Sequence, residues 1–443
     1  MHRTSPAGFH ARTRLSARRP ARLGAPRGGS LAYHRRVSTP GLLANRDFRR
    51  LWIAQAISLF GDWFTYVAVG TLALSESTGL YGVAAVLVAH TLPRAVLAPF
   101  AGRLADRRDR GTILVVGSLL RALVVLVMIA VVGSGDAGTA ALAALVFVRM
   151  ALSAFTDPAA SAALPQLVPA HQLGAANALL GATWSTIFAL GVAAGGFVTA
   201  FVGPHGALAI DAATFVLAAL LFATLPRLRP GERTASDASA SMVVSPDFLA
   251  AWRRTWRDPA LLHVALAKIP VALANGGAWV LLHAVAGREQ AGAVAVTLGV
   301  MHGVRGIGTG VGPLLWARVA RLRGTVSGIH LGTAVTLAGV ALFAAFDAPT
   351  VLVVASVLWG LGMGATWVTS TTRLQLLTPN AMLGRLAAID LMAHTCAQCV
   401  GGLLGAVVAD ALLFPAGAGW LGAAAGLLAW GLLVLLVRTR PPA

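Results

Sequence analysis

The chain has 443 residues, 57% of them hydrophobic and only 12% charged, with a mean hydropathy of +0.75. A soluble protein is nearer ~45–50% apolar and ~25% charged, so a water-covered surface is excluded and the chain is read as an integral membrane protein. Basic residues number 35 against 16 acidic ones, for a net charge of +19. Such an excess marks either nucleic-acid binding or the arginine-rich cytoplasmic loops of a membrane protein, and the positions of the arginines decide between them.

Residues 1–50 hold twelve arginines and one acid, Asp47, among Ala, Ser, Pro and Gly. That composition buries no core, so residues 1–44 are expected to be a disordered basic tail. The tail has no continuous apolar run of the kind a secretory signal requires. From residue 51 onward, apolar stretches of about 20 residues recur, each long enough to cross ~30 Å of hydrocarbon. Twelve are expected: 51–74, 79–101, 112–132, 138–157, 173–202, 206–225, 260–285, 291–317, 326–346, 349–371, 384–412 and 416–437. They are continuously apolar rather than alternating, which excludes a membrane β-barrel. The longest hydrophilic connection, 226–259, follows the sixth stretch and separates an N-terminal half, 45–225, from a C-terminal half, 260–443.

With the N-terminus inside, the cytoplasmic segments carry Arg103, Arg107, Arg108 and Arg110, the linker arginines including Arg253, Arg254 and Arg257, and Arg318, Arg321, Arg323, Arg373, Arg438 and Arg440. The outer loops hold Glu76, Asp136, Asp347 and the Arg288–Glu289 pair. This asymmetry sets both termini in the cytoplasm and accounts for the basic charge without nucleic acid. The tail is expected to touch anionic lipid headgroups. Cys396 and Cys399 form a C-x-x-C within an apolar helix with no second cysteine pair, and are expected to be small buried residues rather than a metal site.

The halves echo each other. Pro169-x-x-x-Leu173-Gly174 opens the fifth stretch and Pro379-x-x-x-Leu383-Gly384 the eleventh, 210 positions later. Pro99 leads to Arg103-Leu104-Ala105-Asp106, and Pro313 leads to Arg318-Val319-Ala320-Arg321. The expected fold is therefore an all-α membrane protein of twelve transmembrane helices in two pseudo-symmetric six-helix halves, an architecture that binds substrate between the halves.

The stretch from Gly102 through Asp106 and Arg107 to Arg110 resembles the loop signature G-x-L-A-D-R-x-G-R-K of the major facilitator superfamily, with Asp109 at the second glycine and Gly111 at the lysine. Further segments are similar to its macrolide-efflux and enterobactin-exporter branch: Asn45 to Trp52, Gly61-Asp62-Trp63, Asp157-Pro158, Ala176-Asn177 and Asp211-x-x-Thr-Phe215. The resemblance implies that Asp106 meets the start of the eleventh helix at Gly384 and Arg385, where a carboxylate suits the helix dipole, and so acts as a latch on the cytoplasmic side.

Charges within membrane helices are costly and face the bundle interior. Asp62, midway along the first helix, is a candidate for proton coupling or substrate contact; an arginine-paired carboxylate is the alternative. Arg149 and Asp157 lie eight residues apart, near one helix face, and are read as a coupling element or an ion pair. Arg94, Arg121 and Asp211 are expected to pair structurally. His302 with Arg305, and Asp390 with His394, share helix faces at spacings of three and four; Asp390 and His394 form either a proton relay or a satisfied hydrogen bond. Lys268 is read as alone and snorkelling to the interface. The glycines at 306, 308, 310 and 312 are read as a packing surface.

No ATP-binding motif and no convergent catalytic or metal-ligand spacing occurs in the sequence, so neither an enzyme nor a cofactor or metal is expected. The expected function is a secondary transporter of the cell membrane that exports a hydrophobic small molecule by proton antiport, for which a monomer suffices. The alternatives are a lysophospholipid or lipid flippase, and a transport-inactive sensor or scaffold.

Overall fold

A computed structural model describes residues 39–75, 79–134, 138–228, 246–378 and 380–438. Among these residues every regular element is helical: α1 (Thr39–Leu43), α2 (Arg46–Ser75), α3 (Gly79–Arg107), α4 (Arg110–Gly133), α5 (Thr139–Leu167), α6 (Leu173–Ala223), α7 (Pro246–Arg257), α8 (Pro259–Leu266), α9 (Ile269–Ala286), α10 (Ala291–Arg323), α11 (Thr325–Ala345), α12 (Pro349–Leu377), α13 (Asn380–Ala411) and α14 (Ala416–Arg438). Most of the basic tail lies outside the described residues. Its last part is helical: α1 buries Leu42 completely beside Phe48 and Leu51, so ordered structure begins a few residues before the expected boundary at 44.

Among the described residues, eleven helical stretches are long and apolar enough to cross a membrane. One of them, α6, has 51 residues, and at ~1.5 Å per residue its length of about 76 Å is more than twice a hydrocarbon core. Its backbone turns at Gly203 (φ 74°, ψ 169°), immediately before Pro204. Only glycine adopts that φ freely, and proline cannot donate the next helical hydrogen bond. The element is therefore two crossings, as the separate stretches 173–202 and 206–225 predict. The seventh crossing is broken instead: α8 stops at Leu266, and α9 starts at Ile269 with Pro270 in its first turn. The result is an all-α membrane protein with twelve spans.

Within the first half α2 packs on α6, α3 on α5 and α4 on α6; within the second, α10 and α11 pack on α12, and α13 and α14 on α9. The halves meet along two seams, α6 with α10 and α3 with α13. These are the second and fifth spans of one half against the fifth and second of the other, as a two-fold arrangement requires.

Lipid chains are as apolar as leucine, so helix association in a membrane relies on close backbone approach at small residues. A Cβ on Gly196 of α6 would stand 2.5 Å from the Ala295 carbonyl and 2.8 Å from Gly299 Cα of α10. The α10 glycine ladder is divided between two partners: Gly306 faces α6 at Ala189 and Phe188, while Gly308 and Gly312 face α12 at Val357 and Leu361. Among the described residues, a Cβ on Gly310 would have Ser185 Cβ near it, at 3.9 Å, and none within 4 Å would meet a Cβ on Gly181. At the other seam, Thr91 Oγ1 lies 3.3 Å from Cys399 Sγ. Cys399 is buried, Cys396 is exposed, and both are free thiols.

Candidate functional site: a charged network beside a cavity

Four helices each contribute one ionised side chain to a single buried network. Arg121 of α4 donates through Nη2 to both carboxylate oxygens of Asp62 on α2, at 2.6 and 2.8 Å. Arg149 of α5 donates to Asp62 Oδ1 at 2.5 Å and reaches Asp211 Oδ2, on the second part of α6, at 3.4 Å. Thr65 Oγ1 donates to the same Asp211 oxygen at 2.5 Å. The Arg121 guanidinium also lies 4.0 Å above the Phe215 ring. Two cations and two anions give a locally neutral group, which offsets the desolvation that an unbalanced buried charge would suffer. The close approach of α2 and α6 depends on Gly61: a Cβ there would fall 2.6 Å from Asp211 Oδ1 and closer still to Thr214.

Of the four, Asp62 is the most accessible, with 17% of its side chain exposed against 0% for Asp211. It faces a cavity of about 330 Å³. One face of α2 runs along this cavity at helical spacing, from Trp52 through Gln55 and Ser58 to Asp62. Arg94, Asp157, Asn177 and Trp184 line other walls. The cavity begins near the second turn of α2, at Trp52. Trp52 Nε1 donates to Thr183 Oγ1 at 2.8 Å and ties α2 to α6 there.

The expected Arg149–Asp157 pairing is not what the fold adopts. Eight residues are about 12 Å along a helix axis, too far for contact; Arg149 turns to Asp62 and Asp211, while Asp157 pairs with Arg94 of α3 at 3.6 Å, at an exposed position. Arg121 and Asp211, read from the sequence as structural charges, belong to the same network as Asp62.

The second half holds a different pair. Lys268, at the break between α8 and α9, is 3% exposed and forms a short ion pair with Asp390 of α13. It also donates to Thr371 Oγ1 at 3.0 Å and sits 4.3 Å from the Trp367 ring centre. Lys268 is therefore neither alone nor snorkelling. Asp390 is turned to Lys268, and His394 packs edge-on to Trp367 at 5.0 Å. A charged partner from another helix outcompetes an imidazole one turn away.

His302 and Arg305 lie at the α6–α10 seam, among rings from both halves. His302 Nε2 is 3.4 Å from Tyr66 Oη, which also accepts from Trp279 Nε1. Arg305 donates to Asn275 Oδ1 at 3.0 Å. The Tyr66, Trp279 and His283 rings of this cluster belong to no sequence motif.

In the loop resembling the superfamily signature, Gly102 lies in α3 and Gly384 in α13, and the Asp106 side chain lies outside the described residues. Arg107 is exposed and Arg385 partly buried. Arg110 donates to the Ala162 carbonyl at 2.8 Å and the Ala105 carbonyl at 3.3 Å, tying α4 to α3 and α5 within the first half. Asp109, at the motif's glycine position, caps α4 by accepting from Thr112 N at 2.9 Å and binds Leu228 N at 2.8 Å. Among the described residues no cluster of His, Cys, Asp or Glu suits a metal ion.

A sequence profile described as transmembrane secretion effector matches residues 38–442. The chain is 31% identical over 178 residues to the MFS-type transporter YfiS of Bacillus subtilis, covering 40% of this chain and 42% of that one. It is 27% identical over 246 residues to the MFS-type transporter y4rN of Sinorhizobium fredii, covering 55% and 59%. The chain thus spans about half the length of the curated relatives it matches. Among solved structures, the nucleoside transporter NupG superposes with a TM-score of 0.72 at 12% identity, covering 89% of this chain and 99% of that one. A bacterial homologue of the iron transporter ferroportin, in an inward-facing state, superposes with a TM-score of 0.67 at 17% identity, covering 88% and 98%. At such identities the likeness is one of fold.

Proposed function

The chain belongs to the transmembrane secretion effector family of the major facilitator superfamily, and from that premise we propose that it is a secondary active transporter exporting a hydrophobic small molecule, such as a drug, macrolide or siderophore, by proton antiport across the cell membrane. The observation that carries this proposal is the cavity of about 330 Å³ with Asp62 on its wall and two arginines directly behind that carboxylate. Small-molecule pockets run from ~300 to 1,000 Å³ and combine apolar walls with a few polar groups. Here Trp52, Trp184 and Phe222 supply the apolar part.

With both termini in the cytoplasm, the arrangement is inward-open. The halves meet where Gly196 approaches Gly299, and among the described residues none lies within 4 Å of a Cβ placed on Gly181. Cargo enters from the inner side and contacts Asp62. A proton arriving on Asp62 removes the negative charge that holds Arg121 and Arg149, leaves the network with net positive charge, and biases the halves toward the other packing. Only such a difference in free energy between the two states can drive alternation. The Lys268–Asp390 pair offers a second protonation point in the other half. Asp106 is proposed as the latch, resting on the first turn of α13 near Gly384 and Arg385 in the outward-open state.

The test uses purified protein and inverted vesicles. Thermal shift over a panel of macrolides, siderophores and lysophospholipids identifies the cargo, and its uptake is then measured with an acid vesicle lumen. Uptake is expected to collapse when the gradient is dissipated, and Asp62→Asn to remove its pH dependence. Gradient-independent uptake refutes antiport. Stabilisation by lysophospholipid alone replaces export of soluble cargo with lipid flipping. Normal flux in Asp106→Asn refutes the latch.

A further inference from the structure

Arg305 stands apart from the other intramembrane cations. Arg121 and Arg149 share Asp62 and Asp211, Arg94 meets Asp157, and Lys268 meets Asp390. Arg305 is 5% exposed, and among the described residues no carboxylate lies within ion-pair distance of it. Among the described residues its hydrogen-bonded side-chain partner is a neutral amide oxygen, Asn275 Oδ1, at 3.0 Å. Two aromatic faces complete its surroundings, with Trp359 at 4.7 Å and Phe188 at 5.5 Å from the guanidinium carbon. A guanidinium does not give up its proton in a protein. The positive charge is therefore permanent, and a buried charge without a counter-charge is strongly unfavourable.

Two further features point to what balances it. One turn earlier on α10, His302 is fully buried, and its Nδ1, like Arg305 Nε, has no hydrogen-bond partner among the described residues. Phe188, against which Arg305 lies, stacks on Trp184 with ring centres 5.5 Å apart and planes 19° apart. Trp184 lines the cavity. Arg305 thus lies at the α6–α10 seam, separated from the cavity by the Phe188 and Trp184 rings.

We propose that Arg305, assisted by His302, is the receptor for the negative group of the cargo, and that the cargo is an amphiphilic aromatic anion, a carboxylate or phenolate attached to a ring system. The guanidinium fork matches a carboxylate in geometry and charge, and the Trp184–Phe188 stack offers a face for the rings. Occupation neutralises the seam, so bound and empty proteins differ in the energy of closing α6 on α10. This inference rests on the export reading only for the route the cargo takes; binding is measured separately.

The probes are 1-pyrenebutyrate and its neutral counterpart 1-pyrenebutanol, added to the purified full chain in a thermal-shift titration, with sodium chloride as a third arm. Wild-type protein is expected to be stabilised by the carboxylate and not by the alcohol. Arg305→Gln is expected to weaken the apparent affinity at least tenfold. Arg305→Met is expected to raise the melting midpoint of the unliganded protein, because a volume-conserving apolar side chain removes the unbalanced charge. Equal stabilisation by acid and alcohol overturns the proposal, as does unchanged affinity in Arg305→Gln. Saturable stabilisation by chloride that matches pyrenebutyrate overturns it in favour of an inorganic-anion site. If neither variant folds, the contrast between acid and alcohol on the wild-type protein decides. Carboxylate binding without vesicle uptake refutes export while leaving the anion site standing.

Discussion

Replacing Asp62 with asparagine, alone and together with Arg121→Gln, tests whether the buried network acts as one neutral unit. Asp62 accepts three hydrogen bonds from arginine, at 2.5, 2.6 and 2.8 Å. A hydrogen bond to a charged group contributes ~1.5–3 kcal/mol and one between neutral groups ~0.5–1.5 kcal/mol. Neutralising the shared acceptor therefore costs about 1 kcal/mol for each bond, about 3 kcal/mol together, which agrees with the ~3–5 kcal/mol of breaking a buried pair on one side. Arg121→Gln alone should cost a similar amount, since it also removes the cation over Phe215. The double variant restores neutrality: Arg149 keeps Asp211, and the two substituted side chains are uncharged. Its loss should fall short of the sum of the single losses by about 2 kcal/mol, within the range found for coupled neighbours. The cycle is measured by reversible unfolding in mixed micelles on SDS titration, with thermal midpoints as a check. Additivity to within ~0.5 kcal/mol would mean that the residues act independently, and the network reading would be wrong.

Three further outcomes are expected. Asp109→Ala removes the cap of α4 and the tie to Leu228 N; the lost cap alone costs ~1 kcal/mol, and an unchanged midpoint would refute its anchoring role. Arg94→Gln or Asp157→Asn should change stability by less than ~1 kcal/mol, because the pair is exposed at 42% and 58% and solvent screens it; a loss above ~2 kcal/mol in the same unfolding assay would contradict that. Gly196→Val should destabilise by ~1–3 kcal/mol through overpacking against the α10 backbone, whereas Gly181→Ala, whose Cβ meets none of the described residues within 4 Å, should leave stability unchanged or raise it by up to ~1 kcal/mol through helix propensity. Equal midpoints for these two variants would show that the α6–α10 seam is not closed at Gly196.

Much of the fold was legible in the sequence because the membrane simplifies the problem. A backbone in hydrocarbon must satisfy its own hydrogen bonds, so every apolar stretch of sufficient length becomes a helix. Even the division of α6 was marked by Gly203-Pro204. The site was legible as a set of residues and not as a set of partners. Asp62, Arg149, Asp157, Asp390, His394 and Arg305 stand out because charge is rare in lipid. Helical periodicity, however, relates only residues on one helix, and it coupled Arg149 to Asp157 and Asp390 to His394. The structure couples residues 59 and 122 positions apart instead, Arg121 with Asp62 and Lys268 with Asp390.

Sequence alone determined that this protein is a twelve-span membrane bundle with two related halves and a few costly charges inside it, since hydropathy, length and proline-glycine breaks are properties of each segment by itself. Tertiary structure decided which charges cancel. That depends on which helices lie side by side, and small residues such as Gly61 and Gly196 set how closely they approach. Asp62 and Asp211 came to share Arg149, with Arg121 also on Asp62, beside a cavity; Lys268 was drawn inward to Asp390; and Arg305 was left at the seam against, among the described residues, an amide and aromatic rings.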